Sequence, residues 1–397
     1  MARKGTFERA DAMIYFGGLT ALTAISVDIV LPATGVVARD FGTRESLGAL
    51  LVGSYFIAYA VGQLFWGVFS DAFGRKRALV VSLGLFTLAS AACALAPGFG
   101  FLVAMRAVQG LVGGTPVIAR AMVRDVTHGN QAARILAVLS AILTIATLIA
   151  PVIGSGLLVL FEWQAMFWAL ALMGLAFLAY TLVFIDETAG QRRPERFSLR
   201  FVVQASRKLL AMPAFLVPMA FGSLSFAGYA AILSVGAVLT ETVYAVAPTA
   251  FGSLFALAAL SNTAGAMLLR RMLRGVQAPR MAMMSVAFLG LAGAVSLVSA
   301  VVTPSLPVFW GVVCLYVMAF GMVLPISIAL AMDPAGEMPG FATSLMGAAQ
   351  MGGGAVGAGL ATLLFDGTHR AIPVTMALFA ALAVLVLFLG RRVLTAS

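Results

Sequence analysis

Long apolar runs separated by short polar breaks dominate this chain and fix its class before any motif is read. A helix that crosses a bilayer needs about 20 mostly apolar residues. The pattern predicts twelve such helices, at about 12–34, 47–69, 78–96, 100–120, 134–160, 163–185, 214–239, 249–269, 281–302, 306–331, 339–364 and 371–390. The longest polar connection runs from Asp186 to about Met212. It divides the chain into a first six-helix half (1–185), a linker (186–212) and a second half (213–397). Within the linker Phe197, Phe201, Ala205 and Leu209 recur at every fourth position, while Arg200, Arg207 and Lys208 lie off that stripe. This predicts an amphipathic helix on a membrane surface.

Composition sharpens the reading. Of 397 residues 62% are apolar and 10% charged, and the mean hydropathy is +1.05. Soluble domains carry about 25% charged residues, so a soluble enzyme, a nucleic-acid-binding protein and a disordered chain are excluded. The net charge of +10 is distributed as the positive-inside rule requires. With both termini cytoplasmic, twenty-one of the 25 Lys and Arg fall in inside segments, among them Arg3, Lys4, Arg9, Arg120 and Arg124. Three (Arg39, Arg44, Arg370) fall outside, and Arg106 falls within a span. Cys93 and Cys314 lie inside apolar runs, with neither disulfide nor zinc-site spacing. The first apolar run ends without an A-x-A cleavage pattern and is expected to persist as the first span.

The halves resemble each other. Gly53-Ser54-Tyr55-Phe56 matches Gly252-Ser253-Leu254-Phe255 at a spacing of 199, and Gly154-Ser155-Gly156-Leu157 matches Gly357-Ala358-Gly359-Leu360 at 203. Each match joins one span to the sixth after it, which predicts a duplicated six-helix unit.

The loop after the second span reads Gly67-Val68-Phe69-Ser70-Asp71-Ala72-Phe73-Gly74-Arg75-Lys76-Arg77. It resembles the signature loop of the major facilitator superfamily, G-x-x-x-D-[RK]-x-G-R-[RK]-[RK], with Ala72 in place of a basic residue. The resemblance implies the major facilitator fold, all α-helical, with twelve transmembrane helices in two pseudo-symmetric halves. It also implies that Gly67, Asp71, Gly74, Arg75, Lys76 and Arg77 form a cytoplasmic gate. Asp71 would touch the start of the eleventh span near Pro339, whose free N–H groups favour an anion.

In the fourth span Arg106, Gln109, Gly110 and Gly113 share one helical face. A charge at mid-membrane costs at least ~2.5–3.5 kcal/mol, so Arg106 must face inward and have a partner. The stretch resembles the R-x-x-Q-G motif of proton-coupled members. Ala150-Pro151-Val152-Ile153-Gly154-Ser155-Gly156 resembles the antiporter motif G-P-x-x-G-G, with Ala150 and Ser155 replacing glycines. Proline with small neighbours kinks a helix and admits close packing.

Asp28 is the one carboxylate placed deep in a span; the other acids fall at helix ends or in loops. With the first helix ending near Thr34 and the fourth entering near Gly100, Asp28 and Arg106 both lie about 9 Å below the outer surface at ~1.5 Å per residue. Equal depth predicts an Asp28–Arg106 pair. Desolvation and a nearby cation act on such a carboxyl in opposite senses, leaving it able to take up and release a proton as hydration changes. Asp28, with Arg106 and Gln109, is therefore the expected proton-coupling group. Asp-Ile-Val-Leu-Pro-Ala from Asp28 also resembles a stretch of bicyclomycin- and chloramphenicol-resistance (Bcr/CflA-type) exporters. So do Arg120-Ala121-Met122-Val123-Arg124-Asp125, Trp163-Gln164-Ala165-Met166-Phe167, Asp186-Glu187-Thr188 and Gly340-Phe341-Ala342-Thr343-Ser344-Leu345.

Polar and aromatic residues on inward faces are the candidate substrate contacts: Tyr55, Tyr59, Gln63, Tyr229, Asn262, Tyr316 and Gln350. Gln63 and Asn262 are related by the repeat spacing of 199. The resemblance implies an antiporter that exports small amphipathic drug-like compounds, with protons as coupling ion and no cofactor or metal. It implies a monomer in the bacterial cytoplasmic membrane, working by alternating access. An uptake symporter or facilitator for a sugar or organic acid is the competing reading. No phosphate loop is found. An intramembrane enzyme lacks support, since the spans hold no Ser-His, His-metal or paired-carboxylate arrangement and His128 and His369 fall in loops. A receptor or scaffold sits poorly with membrane-embedded charge.

Overall fold

The computed structural model describes residues 10–127, 129–189, 192–336 and 338–395. Arg3, Lys4, Arg9 and His128 lie outside the described residues. The described chain is all α-helix and short 3-10 turns, in the order α1 (Ala10–Asp28), α2 (Thr34–Asp40), α3 (Leu50–Phe73), α4 (Arg75–Ala94), α5 (Phe99–Leu111), α6 (Thr115–Val126), α7 (Gly129–Leu160), α8 (Gln164–Phe184), α9 (Leu199–Leu210), α10 (Pro213–Tyr244), α11 (Pro248–Met272), α12 (Ala278–Val301), α13 (Leu306–Met332), α14 (Pro339–Leu364) and α15 (Ala371–Thr395). The first span comprises α1 and α2, the fourth α5 and α6. Eleven spans among the described residues are long and apolar enough to cross a membrane. The eleventh span, α14, falls below that apolarity although it is a 26-residue helix. Its seven glycines carry no side chain to contribute.

Two spans expected to be continuous are broken. α1 stops at Asp28 because Pro32, four residues on, has no N–H to give the Asp28 carbonyl and its ring opposes that oxygen. The chain passes through a 3-10 turn at Leu31–Ala33 and runs on as α2 to Asp40, beyond the expected end near Thr34. The fourth span breaks at Val112-Gly113-Gly114, ahead of Pro116, and continues to Val126 rather than ending near 120. Freed carbonyls at membrane depth must find donors. Trp66 Nε1 donates to the Leu111 carbonyl at 2.9 Å and Ser82 Oγ to that of Val112 at 2.6 Å.

Lipid tails are as apolar as leucine, so helices in a bilayer associate through close van der Waals packing. The closest approaches repeat between the halves. A Cβ on Gly154 of α7 would collide with the backbone carbonyl of Ile29, and one on Gly357 of α14 would collide with that of Ala227 in α10. A tryptophan also ties α13 to α11, Trp310 Nε1 donating to the Leu254 carbonyl at 2.7 Å. The duplicated unit read from glycine spacings is thus present as duplicated contacts.

The end of the bundle carrying most of the loop arginines is called the basic end below, and the other the far end. At the far end the halves meet through an ion pair, Arg39 Nη2 to Glu241 Oε1 at 2.9 Å, and through the Gly252 N–H donating to Ser155 Oγ at 3.0 Å. At the basic end α3 packs along α14, with Gly67 against Ser344. In the linker, α9 has Ser198 Oγ accepting from the Phe201 N–H at 3.1 Å as its N-cap, and buries Ala205 and Leu209.

Candidate functional site: a chamber between the halves

A chamber of about 450 Å³ lies between the halves, within the usual range for drug-sized ligands. Both halves supply its wall. Tyr55, Tyr59 and Gln63, spaced by four on α3, present one helical face to it. From the other half come Tyr229, Asn262 and Gln350. Tyr229 stacks on Phe320 with ring centroids 5.0 Å apart and planes 12° apart, and Phe226 packs beside both. The second half therefore offers an aromatic wall. The first half offers hydroxyls: Thr23 Oγ1 is 3.3 Å from the Tyr59 hydroxyl, and the Tyr55 hydroxyl donates to the Thr23 carbonyl at 3.3 Å.

Tyr316 is not part of this wall. It is fully buried, and its hydroxyl donates to the Ser225 carbonyl at 3.2 Å. Ser225 lies 199 residues after Ser26, the repeat spacing. In the first half the Ser26 carbonyl accepts from Arg106 Nη1 at 3.1 Å. Tyr316 is therefore the second-half counterpart of Arg106, a donor to the leading helix of its half.

Asp28 stands on the chamber wall at the end of α1, 6% exposed. It makes no ion pair among the described residues, and the expected Asp28–Arg106 pair is absent. Arg106 is fully buried behind the wall. Its Nη1 reaches the Ser26 carbonyl, Ser26 Oγ at 3.2 Å and Gln109 Oε1 at 2.6 Å, while Nε donates to the Leu51 carbonyl at 3.0 Å. Nη2 has no hydrogen-bond partner, and the guanidinium lies over the Tyr55 ring at 4.6 Å. Gln109 is held in turn by donating to Ser90 Oγ at 2.7 Å. Helical geometry explains the missing pair. Positions 26 and 28 point about 200° apart around α1, so binding Ser26 to Arg106 turns Asp28 away, into the chamber. The break supplies the other half of the reason. The Val30 N–H bonds the Val27 carbonyl at 3.2 Å instead of Ser26's, and Arg106 caps the carbonyl this frees. A cation suits a helix C-terminus.

The antiporter-motif stretch lies at the far-end seam between the halves. Gly154 abuts the α1 break at Ile29, while Pro151 and Ser155 face Gly252 of α11. Ala150 is buried.

The gate loop is an ion-pair network with a different partner from the one expected. Asp71 pairs with Arg75 Nη1 at 2.6 Å and Arg196 Nη1 at 3.0 Å, and its backbone carbonyl accepts from the Arg193 N–H at 2.9 Å. The start of α14 faces Asp71 only across a cleft of about 130 Å³. Two guanidiniums outweigh the roughly half-unit charge of a helix N-terminus. Arg75 Nε also reaches Asp125 Oδ2 at 3.0 Å, and the Arg75 N–H opening α4 donates to Glu187 Oε1 at 2.8 Å. Gly74 holds φ at 104°, a conformation side chains resist. Lys76 Nζ donates to the Leu182 carbonyl at 3.3 Å, and Arg77 is exposed. The linker docks here as well, with Phe197 among the rings of Phe65, Phe69 and Phe73.

Sequence reading missed several wall residues. Arg120, placed there in a loop, sits on α6 and lines the chamber. Ser140, Thr144 and Thr147 line it from α7, and their i, i+4, i+7 spacing was a legible polar stripe. His369, in its loop, is buried, with Nε2 3.0 Å from the Ser299 carbonyl.

Comparison with known proteins agrees with this architecture. The chain is 28% identical over 350 residues to the Bicyclomycin resistance protein homolog of Haemophilus influenzae, covering 87% of each chain. It is 28% identical over 365 residues to the Multidrug resistance protein MdtL of Escherichia coli, again covering 87% of each. The solved xylose transporter XylE from E. coli, described as partially occluded and inward open, superposes with a TM-score of 0.73 at 14% identity, over 97% of this chain and 98% of that one. The family profile of the Major Facilitator Superfamily matches residues 16–358. The chain is a multi-pass membrane transporter belonging to the Major Facilitator Superfamily.

Proposed function

We propose that the protein exports small amphipathic, drug-like molecules across the bacterial cytoplasmic membrane in exchange for protons, with both termini inside. The observation that carries this reading is Asp28, the one acidic side chain among the described chamber-lining residues, free of any ion pair and facing an aromatic wall. A carboxyl so placed exchanges its proton with whatever fills the chamber, so a cationic or hydrogen-bonding substrate and the proton compete for one group. Arg106 acts through α1. By capping the Ser26 carbonyl it fixes the break and with it the direction in which Asp28 points. The halves rock about the chamber, exposing Asp28 to each side in turn, with the far-end seam at Gly154 and Gly252 and the gate loop at Asp71 alternately closing. No cofactor or metal takes part, and the working unit is a monomer in the lipid bilayer. The names of the relatives, resistance to bicyclomycin and to multiple drugs, support the substrate class. The uptake reading is disfavoured by the aromatic wall, since a sugar calls for more hydrogen-bonding side chains.

Expression in a bacterial host stripped of its own exporters tests this. The protein is expected to raise the inhibitory concentration of amphipathic antibiotics and to lose that effect when the proton gradient is collapsed. Asp28→Asn, present at equal abundance, is expected to confer none. Normal efflux by Asp28→Asn, or export that persists without a gradient, would overturn the reading.

A further inference from the structure

Two side chains of opposite charge line the chamber among its described residues, Asp28 and Arg120. Neither makes an ion pair among the described residues. The acids nearest Arg120 in sequence and at the gate are already engaged, Asp125 with Arg75 and Asp71 with Arg75 and Arg196. Among the described residues the one hydrogen bond that Arg120 makes is to its own helix, Nε donating to the Pro116 carbonyl at 3.0 Å. That bond orients the guanidinium while leaving both terminal nitrogens for a partner.

The two charges are set apart along the bundle. Asp28 ends α1 beside the far-end contact of Ile29 with Gly154. Arg120 lies at the basic end, lining both the chamber and the gate cleft that also holds Asp71 and Arg75. An occupant therefore meets an anion at one end and a cation at the other, with aromatic rings between. When the chamber closes around a molecule, any wall charge left unpaired bears the cost of desolvation. With Asp28 ionised, a singly charged or neutral occupant strands at least one of the two; an amphoteric one strands neither.

Building on the transport reading above, we infer that Arg120 recognises the anionic group of the substrate, and that the molecules carried are amphoteric, with an amine toward Asp28 and a carboxylate or similar anion toward Arg120. The spacing selects molecules whose charges are held apart by a ring or chain rather than sharing one carbon. Arg120 is thus a specificity-determining residue, distinct from the proton-exchanging one.

The test uses three matched probes: 4′-(aminomethyl)biphenyl-4-carboxylic acid, its methyl ester (cation only) and its N-acetyl derivative (anion only). Binding to the purified full chain is measured by equilibrium dialysis with no gradient, so the outcome is independent of export direction and energy coupling. The wild-type protein is expected to hold the zwitterion more tightly than either derivative. Arg120→Gln is expected to weaken the zwitterion and the N-acetyl acid by about 10- to 100-fold, the worth of a charge-assisted hydrogen bond, and to leave the methyl ester bound at least as tightly as before. Arg120→Lys is expected to recover part of the loss. Equal loss for all three probes would make Arg120 a gate or packing residue and overturn the inference. So would no loss, or a wild-type protein that does not bind the zwitterion. Resistance that survives such a failure would leave the proposed export standing and remove only the substrate class.

Discussion

Arg106→Met, combined with Asp28→Asn, distinguishes a paired from an unpaired buried cation. Arg106 is wholly buried, and its hydrogen-bond partners are neutral: two backbone carbonyls, Ser26 Oγ and Gln109 Oε1. Removing one member of a buried ion pair costs about 3–5 kcal/mol because the surviving charge is stranded. Here methionine strands no carboxylate. What it leaves without a donor are the Ser26 carbonyl at the α1 break and Gln109 Oε1, a loss of about 1–3 kcal/mol each. The decisive quantity is the coupling in the double-mutant cycle. Arg106 acts on Asp28 only through the α1 break, so the four stabilities should depart from additivity by no more than about 0.5–1 kcal/mol, against about 3–5 kcal/mol for a stranded ion-pair partner. Denaturant titration in mixed micelles at one pH reads all four corners. A coupling of about 2 kcal/mol or more would refute the geometry described here and restore the pair expected from equal depth.

Three further outcomes follow from named contacts. Glu241→Gln removes the Arg39 ion pair across the far-end seam, which is partly exposed at 40% and 24%. Such pairs are worth about 0.2–1 kcal/mol, so distance measurements between spin labels on the two halves should show a shift toward far-end opening of no more than about fivefold, shrinking at high salt. A shift of tenfold or more, or one that salt leaves unchanged, would contradict this. Gly357→Val drives a side chain into the Ala227 backbone, an overpacking of about 1–3 kcal/mol that should lower the thermal midpoint; Gly359→Val, where the space is open, should not. Tyr316→Phe forfeits one buried hydrogen bond, about 0.5–1.5 kcal/mol, and should leave substrate affinity untouched because the residue stands behind the wall.

Much of the fold was legible because a bilayer makes apolarity and length the governing constraints. Helix ends from α7 onward fall within a few residues of the reading made from hydropathy alone. The two breaks were missed for a physical reason: apolarity runs through them unchanged. Pro32 and Pro116 signalled them. Yet whether a proline kinks or stops a helix depends on donors elsewhere in the fold, here Arg106, Trp66 and Ser82. Depth could be read from residue counting, but direction around the helix could not. Asp28 and Arg106 were thus assigned to one another although Ser26, two positions away, takes the arginine. Arg120 was given to a loop because charge is normally read as solvent; its place on the chamber wall follows from α6 restarting after the Gly113-Gly114 break. Six of the seven aromatic and polar contacts chosen for the chamber do line it, and Tyr316 does not.

Proton release on substrate binding is the most direct test of the coupling scheme. The purified protein is mixed, in weakly buffered detergent at several pH values, with an antibiotic to which it confers resistance, and the medium is followed with a pH indicator dye. The wild-type chain should release up to one proton per molecule bound, and Asp28→Asn, at compound concentrations raised until it is saturated, should release none. Release that persists in Asp28→Asn, or none from the wild-type chain at any pH where it binds, would contradict the assignment of the exchanged proton to Asp28.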